Sequence, residues 1–353
     1  MSSESQIADI QPLKIENRKP NIIQGAIQWG AILTLVAALI AVPQWTTNSS
    51  VLNLLFLVFL FLTLSQSWNI LGGFAGQISL GHAAFFGIGA LVMRTLWLGG
   101  EISLGSVKFS LGGMDFFIAM PVAGAAAALC ALVVGIPTFR LRGVYFSIGT
   151  LALAEAMRIT VANAMPLVST MPGKFIGTYD LSQRYYVALA VVLMTMLAAF
   201  FLLRSRWSLG WFAIREDEEA AQATGVRLLW HKLAASGISS FFAGLAGATF
   251  AFQQVSYYHY AALSPTWTFD PLLITFVGGV GTLFGPVLGA LFFVYVREQL
   301  ALALGNLNII IFGILFIVVV LALPGGLMDL WERARKWQRG RSQVGESARE
   351  SSG

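Results

Sequence analysis

Residues 51–71 have the sequence VLNLLFLVFLFLTLSQSWNIL, a run of 21 positions without a charged side chain. A helix of roughly 20 apolar residues is long enough to cross the ~30 Å hydrocarbon core of a bilayer. Backbone polar groups inside lipid must be paired within the protein, which only helices and closed barrels achieve. A run this long and continuous lacks the alternation of a transmembrane barrel strand. It therefore predicts a membrane-spanning helix.

The rest of the chain repeats this pattern of apolar blocks between short charged segments. Hydrophobic residues make up 57% of the 353 positions and charged residues 11%, against about 25% charged in a soluble domain. We predict an all-α polytopic integral membrane protein with about 8–10 transmembrane helices, some of them interrupted by glycine. The candidate spans are 25–42, 51–71, 81–98, 116–136, 144–163, 185–203, 233–255, 270–281, 285–301 and 307–323.

Basic residues are concentrated in alternate loops. With the N-terminus inside, sixteen of the 22 lysines and arginines fall in inside segments and three in outside segments. This positive-inside bias predicts that both termini lie on the cytoplasmic side of a bacterial inner membrane. It also explains the basic pI of about 9.5 without a nucleic-acid partner. The number of crossings is then even: ten, or eight if residues 269–301 form a hairpin that enters and leaves on the outside.

Three regions follow from this topology. Residues 1–24 form a cytoplasmic tail, residues 25–326 the transmembrane domain, and residues 327–353 a basic cytoplasmic tail that we expect to be disordered at its end. Within the transmembrane domain, residues 204–232 form the longest internal polar loop, on the cytoplasmic side.

Glycines cluster in GGFAGQISLGHAAFFGIGA (72–90) and GGVGTLFGPVLGA (278–290). Small residues allow close helix packing in lipid, whereas glycine-interrupted segments in corresponding places also mark broken helices beside a transport path. Both interpretations apply to the hinge or packing glycines Gly72, Gly73, Gly76, Gly81, Gly278, Gly279, Gly281 and Gly285.

The cytoplasmic loop contains REDEEAAQATG (215–225). Carboxylates favour a helix N-terminus and glycine a C-cap. The pattern predicts a short surface helix from Glu216 to Gly225.

At this loop the chain resembles the membrane subunits of ABC importers, and among them the LivM-type branched-chain amino acid permeases. Glu219, Ala220, Ala221 and Gly225, preceded by Glu218, match the importer signature E-A-A-x-x-x-G. GQISLGHAAFFGIGA (76–90), LRGVYFSIGTLALAE (141–155), AGLAGATFAF (243–252) and GGVGTLFGPVLGA (278–290) also resemble that family, in its order.

The resemblance implies a pathway formed with a second related permease subunit. It also implies two cytoplasmic ATPase subunits docking on the coupling residues Glu218 to Ala221 and Gly225, and an extracytoplasmic solute-binding protein delivering a small polar solute. The sequence contains no G-x-x-x-x-G-K-[ST] phosphate loop, and the nearest string is PGKF (172–175). We therefore expect a transport subunit rather than an enzyme, surrounded by membrane lipid, with no catalytic residue, metal or cofactor of its own and with ATP used by its partners.

Five polar residues are candidates for the pathway. Glu155 and Arg158 are spaced to pair on one helix face; intramembrane charges suggest a pathway or subunit interface, although Arg158 near a helix end also suits snorkelling. Gln77, Ser79 and His82 lie in the first glycine-rich segment. They either meet solute or protons, or satisfy backbone groups freed by the interruption.

Two outside segments raise further alternatives. Asp270-Pro271 suits an N-cap followed by proline at the first helical position. Tyr257, Tyr258, Tyr260 and Trp267 suit an interfacial aromatic belt or a docking surface for the binding protein.

One loop departs from the family. LivM-type permeases usually carry a T-G-G-x-x-G-like loop after the fifth span, where this chain has STMPGKFIG (169–177). The resemblance implies a branched-chain or other small amino acid as the solute, and if this loop touches the solute or the binding protein, the solute need not be an ordinary branched-chain amino acid; urea or short amides are the alternative. A different class, a secondary transporter driven by protons or sodium, also suits discontinuous helices but usually needs more buried carboxylates.

Overall fold

The computed structural model describes residues 22–46, 48–104, 107–111, 113–164, 168–177 and 179–304, together with 311, 313, 314, 317, 318, 321 and 325–329. Contacts divide the chain into two units, Met1–Asn48 and Ser49–Gly353. The first unit contains helix α1, Ile22–Trp45. The second unit contains every other described element.

Helices dominate the second unit, which confirms the all-α membrane fold. The long helices are α2 (Ser49–Trp68), α3 (His82–Leu98), α4 (Phe116–Thr138), α5 (Val144–Ala164), α7 (Leu181–Arg204), α10 (Leu228–Gln253), α12 (Thr266–Gly278) and α13 (Gly285–Leu304). The short helices are α6 (Gly173–Ile176), α8 (Arg206–Glu216), α9 (Glu218–Ala223) and α11 (His259–Ala262). The strands are β1 (Gly100–Leu104), β2 (Val107–Leu111), β3 (Ser169–Thr170) and β4 (Ser256–Tyr257).

Among the described residues, six helical stretches are long and apolar enough to cross a bilayer. They are Ser49–Phe74, Phe116–Thr138, Val144–Ala164, Leu181–Arg204, Leu228–Gln253 and Gly285–Ala303. α3 and α12 occupy predicted spans but are shorter, at 17 and 13 residues. The predicted span 307–323 lies outside the described residues apart from isolated positions.

Helix α10 forms the centre of the second unit, where α3 and α4 pack against it. A Cβ added at Gly89 of α3 would lie 2.1 Å from the Gly244 carbonyl oxygen of α10, and one added at Gly244 would lie 2.6 Å from Ala127 Cβ of α4. Small residues thus bring three helix backbones together at one level, as expected for packing in lipid.

The helices differ sharply in how much protein surrounds them. In their most apolar windows, 83% of the residues of Ser49–Phe74 and 78% of those of α10 are buried, against 17% for α5. The described residues of α5 that are fully buried are Phe146, Thr150 and Ala154, spaced four apart on one stripe. α5 is therefore a peripheral helix whose remaining surface faces away from this chain.

The first glycine-rich segment interrupts the path between α2 and α3. After α2 the backbone widens into a π-helical segment, Asn69–Phe74, and residues 75–81 are not helical. Trp68 Nε1 donates a hydrogen bond to the Ser79 carbonyl oxygen (2.9 Å), so the chain turns back alongside α2. We call residues 69–81 the first break.

Polar side chains satisfy the backbone of the first break, as buried non-helical backbone in a membrane protein requires. The Leu80 amide donates to Thr150 Oγ1 (3.0 Å), and Ser147 Oγ donates to the Ile78 carbonyl (2.6 Å). The Ala83 amide, just beyond the break, donates to Thr268 Oγ1 (2.7 Å). α5 and α12 thereby hold the break from two sides.

The second glycine-rich segment forms the turn between α12 and α13, residues 279–284, which we call the second break. Its six residues bring α12 and α13 side by side. The N-cap prediction for Asp270 is wrong: α12 begins at Thr266, so Asp270 and Pro271 lie inside the helix. Asp270 Oδ2 instead accepts a hydrogen bond from Arg297 Nη1 of α13 (2.9 Å), because an ion pair across the hairpin is available to a carboxylate that faces α13.

The STMPGKFIG loop and the aromatic segment meet through a two-stranded pairing of β3 with β4. Arg94 of α3, 2% exposed, donates to the carbonyl oxygens of Gln254 and Ser169 (both 2.8 Å) and of Val255 (3.0 Å). Further hydrogen bonds reach the Ala251 carbonyl and Ser169 Oγ, both at 3.3 Å. One guanidinium thus joins α3, the end of α10, β3 and the residues that lead into β4.

Of the four aromatic residues predicted to form an interfacial belt, Tyr257 is buried and Trp267 is half-buried against other rings. Tyr257 is 1% exposed, and Trp267 stacks on Phe86 with 4.3 Å between ring centroids. Tyr258 and Tyr260 are exposed, at 44% and 42%. The belt or docking interpretation therefore applies only to these two.

Candidate functional site

Helix α8 lies in the predicted cytoplasmic loop, where the sequence analysis expected no helix. Ser208, Trp211 and Ile214 recur every three residues and are buried. Trp211 Nε1 donates to the His231 carbonyl oxygen (2.9 Å), and Gly210 leaves room for the His231 ring. The start of α10 therefore fixes the orientation of α8.

Helix α9 begins two residues later than predicted. Asp217 is extended, and its Oδ1 accepts hydrogen bonds from the Glu219 amide (2.8 Å) and the Ala220 amide (3.0 Å). Asp217 is thus the N-cap of a helix that starts at Glu218, whereas Glu216 is the last residue of α8. The helix starts there because this carboxylate satisfies two amides that have no partner inside the helix.

Glu218 faces inward and joins the loop to the first break. Its Oε1 accepts hydrogen bonds from Gln77 Nε2 (2.9 Å) and Lys232 Nζ (2.6 Å). The Lys232 side chain is only 4% exposed and that of Glu218 25%. Burial acts to raise the pKa of the Glu218 carboxyl, but the bonds from Lys232 and Gln77 and the charges of Lys232 and Arg142 outweigh it, so that the pKa lies below its ordinary value.

Arg215 bonds α8 to the first break and lies beside the second. Its Nη1 donates to the Gly73 carbonyl oxygen in the π-helical segment (2.7 Å). A Cβ added at Gly281 would lie only 2.2 Å from the same nitrogen atom. Asn69 completes the junction: its Nδ2 donates to the Thr282 carbonyl oxygen (2.9 Å) and its Oδ1 accepts from the Gly281 amide (2.8 Å).

The outward side of α9 is open. The Glu219 side chain is 84% exposed and makes an ion pair with Arg142, itself 66% exposed, at 3.3 Å; pairs this exposed contribute about 0–1 kcal/mol. Ala220 is also exposed, Ala221 is buried, and Gly225 has open space around it at φ +90°. The coupling residues predicted from the sequence therefore divide into an inward group, Glu218 and Ala221, and an outward group, Glu219, Ala220 and Gly225.

The three pathway candidates of the first glycine-rich segment lie close to one another but make different contacts. Gln77 binds Glu218, and Ser79 Oγ accepts from the Gly81 amide (3.2 Å). His82 Nε2 donates to Ser239 Oγ (2.8 Å), whose hydroxyl donates to the Ser67 carbonyl oxygen (2.6 Å). His82 is thus held by a serine side chain of α10, and its Nδ1 has no hydrogen-bond partner among the described residues.

Glu155 and Arg158 form the predicted pair on α5. Arg158 Nε and Nη2 each donate a hydrogen bond to the Glu155 carboxylate. About a third of each side chain is exposed. Among the described residues no hydrogen bond joins this pair to the first break. Because α5 is the least buried span, the pair lies at the edge of the chain.

A small cavity lies between the first break and α4, α5 and α10. Its polar side chains are those of Ser79, Thr138, Thr150 and Ser236, and its volume of about 10 Å³ has room for about one water molecule. An amino acid does not fit in it.

The eight predicted glycines divide by what surrounds them. A Cβ at Gly73 would meet Asn69 Oδ1 at 1.9 Å and the Gly281 amide at 2.8 Å. Gly76, at φ +69°, lies against the Arg215 backbone, and Gly81 against the Thr150 carbonyl. Gly72 faces the Trp68 ring, while Gly278, Gly279 and Gly285 lie close to one another in the α12–α13 hairpin. Gly73, Gly76 and Gly281 are thus part of the junction, and the other five pack within or beside a single break.

Sequence reasoning missed Arg215, Asn69 and Lys232. Lys232 and Arg215 were counted only as cytoplasmic charges, although the spacing of Ser208, Trp211 and Ile214 indicates an amphipathic helix that carries Arg215. Within the described ranges, no three His, Cys, Asp or Glu side chains come together as a metal site would need.

The fold and this junction define a polytopic helical membrane protein with two broken segments joined to a surface helix. Residues 50–320 match the family described as branched-chain amino acid transport system / permease component, and the chain belongs to that family.

Curated relatives agree with this assignment. The chain is 29% identical to the high-affinity branched-chain amino acid transport system permease protein LivM of Escherichia coli strain K12, over 93% of this chain and 83% of the relative. It is 28% identical to the protein of the same name from Salmonella typhimurium strain LT2, over 90% and 78%. It is 25% identical to a probable LivM permease of Methanocaldococcus jannaschii, over 76% and 90%. No solved structure matches the chain.

Proposed function

We propose that the chain is the permease subunit of an ATP-driven importer that moves branched-chain or other small amino acids by alternating access. The observation that carries this is the position of α8 and α9. Their outer side exposes the signature residues Glu219 and Ala220, and their inner side is hydrogen-bonded to the first break, which Asn69 joins to the second break. A push on the outer side therefore acts directly on the interrupted helices.

The partners follow from the family and from this exposed side. Two cytoplasmic ATPase subunits dock on α9 and hydrolyse the ATP, while this chain has no catalytic role. A second, related permease subunit completes the path, and an extracytoplasmic solute-binding protein supplies solute. In this arrangement both termini are cytoplasmic in a bacterial inner membrane.

The solute class rests on the relatives, whose names specify branched-chain amino acids. The cavity at the first break is too small for an amino acid, and in the proposed mechanism the path opens when the breaks move. Urea or short amides are the alternative, because the loop 169–177 departs from the family pattern.

The test is uptake into membrane vesicles that contain this chain together with its neighbouring subunits and binding protein. We expect labelled leucine uptake to require ATP on the cytoplasmic side and to persist with an uncoupler. Vesicles lacking only this chain are the matched control, and excess urea or acetamide tests the alternative solutes by competition. Uptake without ATP, driven by an imposed proton or sodium gradient, would instead show a secondary transporter.

A further inference from the structure

We propose that Arg215 and Asn69 are positioning residues that carry the movement of α8 and α9 to the first and second breaks together. This inference rests on the proposed function and adds the route of transmission, which the importer signature itself does not include.

Helix α8 is attached to the first break through Arg215. Arg215 is an exposed residue of α8, yet its Nη1 reaches the Gly73 carbonyl oxygen at 2.7 Å. Carbonyls at the end of a helix lack partners within the helix, and a charged donor makes the stronger kind of hydrogen bond to them. The α8 backbone also lies directly against Gly76. A shift of α8 therefore moves the π-helical segment.

The side chain of Asn69 links the two breaks. Asn69 donates to the Thr282 carbonyl oxygen and accepts from the Gly281 amide, two backbone bonds from a single amide side chain. Both of its functional atoms are used, so the second break moves with the π-helical segment. The breaks are more than 200 positions apart in sequence and share this one side chain.

The guanidinium of Arg215 fills the space beside Gly281 that a side chain at this position would need. A Cβ at Gly281 would lie 2.2 Å from Arg215 Nη1. Alanine at this position therefore displaces the guanidinium from the Gly73 carbonyl. Gly281 also has φ +78°, which strains any other residue.

Glu218 supplies a parallel tie, from α9 to Gln77 of the first break and to Lys232 of α10. This tie leaves the second break out. Arg215 and Asn69 are therefore the two side chains at the place where α8, the first break and the second break meet.

The experiment compares variants in the complete importer reconstituted in proteoliposomes, with the ratio of solute imported to ATP hydrolysed as the readout. We expect Arg215→Gln to lower this ratio at least fivefold while the complex still assembles and ATP hydrolysis stays within about twofold. Arg206→Gln, the same change on an exposed arginine of the same helix, should leave the ratio unchanged. Arg215→Lys should recover part of it, since an ammonium can still donate to one carbonyl.

A second comparison uses glycine. Gly281→Ala should lower the ratio, whereas Gly113→Ala, at φ +81° in open space, imposes the same backbone strain without touching Arg215 and should not. The double variant Arg215→Gln/Gly281→Ala should be no worse than the more severe single variant, because both changes break the same contact.

For variants that assemble poorly, amide hydrogen exchange of the purified chain tests the same contacts without the complete importer. Arg215→Gln and Asn69→Ala should speed amide exchange in residues 69–81 and 279–284, and Arg206→Gln should not. A wild-type ratio of solute imported to ATP hydrolysed in Arg215→Gln, or unchanged exchange in both breaks, would overturn the inference alone. Wild-type vesicles that import solute without ATP would overturn the proposed function and the inference with it.

Discussion

Two cations that the sequence analysis treated only through topology, Arg94 and Lys232, have structural roles. Arg94 was placed at a span end and Lys232 was counted as an inside charge, because a charge count uses position in the chain and not partners. The structure buries both side chains and pairs both with specific acceptors. Those acceptors are distant in sequence, which is why no local pattern identifies them.

Replacing Arg94 should destabilise the chain. Arg94→Ala leaves buried carbonyls of Ser169, Gln254 and Val255 without donors, which we expect to lower the free energy of unfolding by about 3 kcal/mol. Arg94→Lys should recover little, because an ammonium cannot reproduce the planar fork of donors. Thermal unfolding in detergent measures both, with Arg206→Ala as an exposed control; equal melting temperatures for wild type and Arg94→Ala would contradict the role.

The ion pair of Glu218 and Lys232 should give a pH-dependent difference between wild type and Glu218→Gln. The folded-state pKa of Glu218 lies below its ordinary value of 4.5. The charged carboxylate therefore stabilises the fold above pH 4.5, and this contribution is lost as the pH falls through the lower folded pKa. At pH 7 we expect wild type to be more stable by about 2 kcal/mol.

Melting temperatures from pH 7 to pH 3 check this expectation. The gap between wild type and Glu218→Gln should be constant down to about pH 4.5 and then close. A gap that stays constant to pH 3 would mean that the charge of Glu218 does not matter.

At the scale of elements, glycine pattern and helix signals predicted much of the site. The shared opening and spacing of the two glycine-rich segments predicted either close helix packing or broken helices, and both segments interrupt the helical structure. The helix carrying the importer signature was predicted too, with its start misplaced because a row of four acidic residues offers several N-cap positions. Helix α8 was missed because it is only 11 residues long and its buried face includes a serine and a glycine beside Trp211 and Ile214. The contact between the two breaks was not predictable, since it depends on one asparagine.

Gly225→Pro should disable the surface helix without unfolding the chain. Gly225 has φ +90°, which proline cannot adopt, and its amide donates to the Gln222 carbonyl oxygen (3.0 Å). We expect weaker association with the ATPase subunits and at least tenfold slower uptake, measured by co-purification and vesicle transport. Gly113→Pro, at φ +81°, is the matched control for strain alone; normal transport by Gly225→Pro would exclude a coupling role for this turn.

At the scale of the whole molecule, α2 and α10 are enclosed by protein and α5 is not. Hydropathy predicted all three as spans, but it does not distinguish a central helix from a peripheral one. The half-exposed pair of Glu155 and Arg158 lies on this peripheral helix, where lipid would be a poor neighbour for two charges. We therefore propose that the pair meets the path or the proposed second permease subunit.

Exchanging the two charges tests that placement. Glu155→Arg/Arg158→Glu keeps a pair within the helix but reverses the field that α5 presents outward. We expect uptake to fall at least fivefold with the chain still inserted, as measured by vesicle transport and by membrane abundance. Full uptake in the exchanged variant would mean that the pair serves α5 alone.

The π-helical segment makes the first break sensitive to the number of residues between Asn69 and Phe74. A π turn holds one residue more than an α turn, so the first break depends on a single extra position between Asn69 and Phe74. Deleting one residue there would restore an α turn and rotate the downstream residues by about 100°. The Gly73 carbonyl would then turn away from α8 although every contact residue was still present. Alignments of related chains should therefore show no gap within this segment, even where the neighbouring loops vary in length.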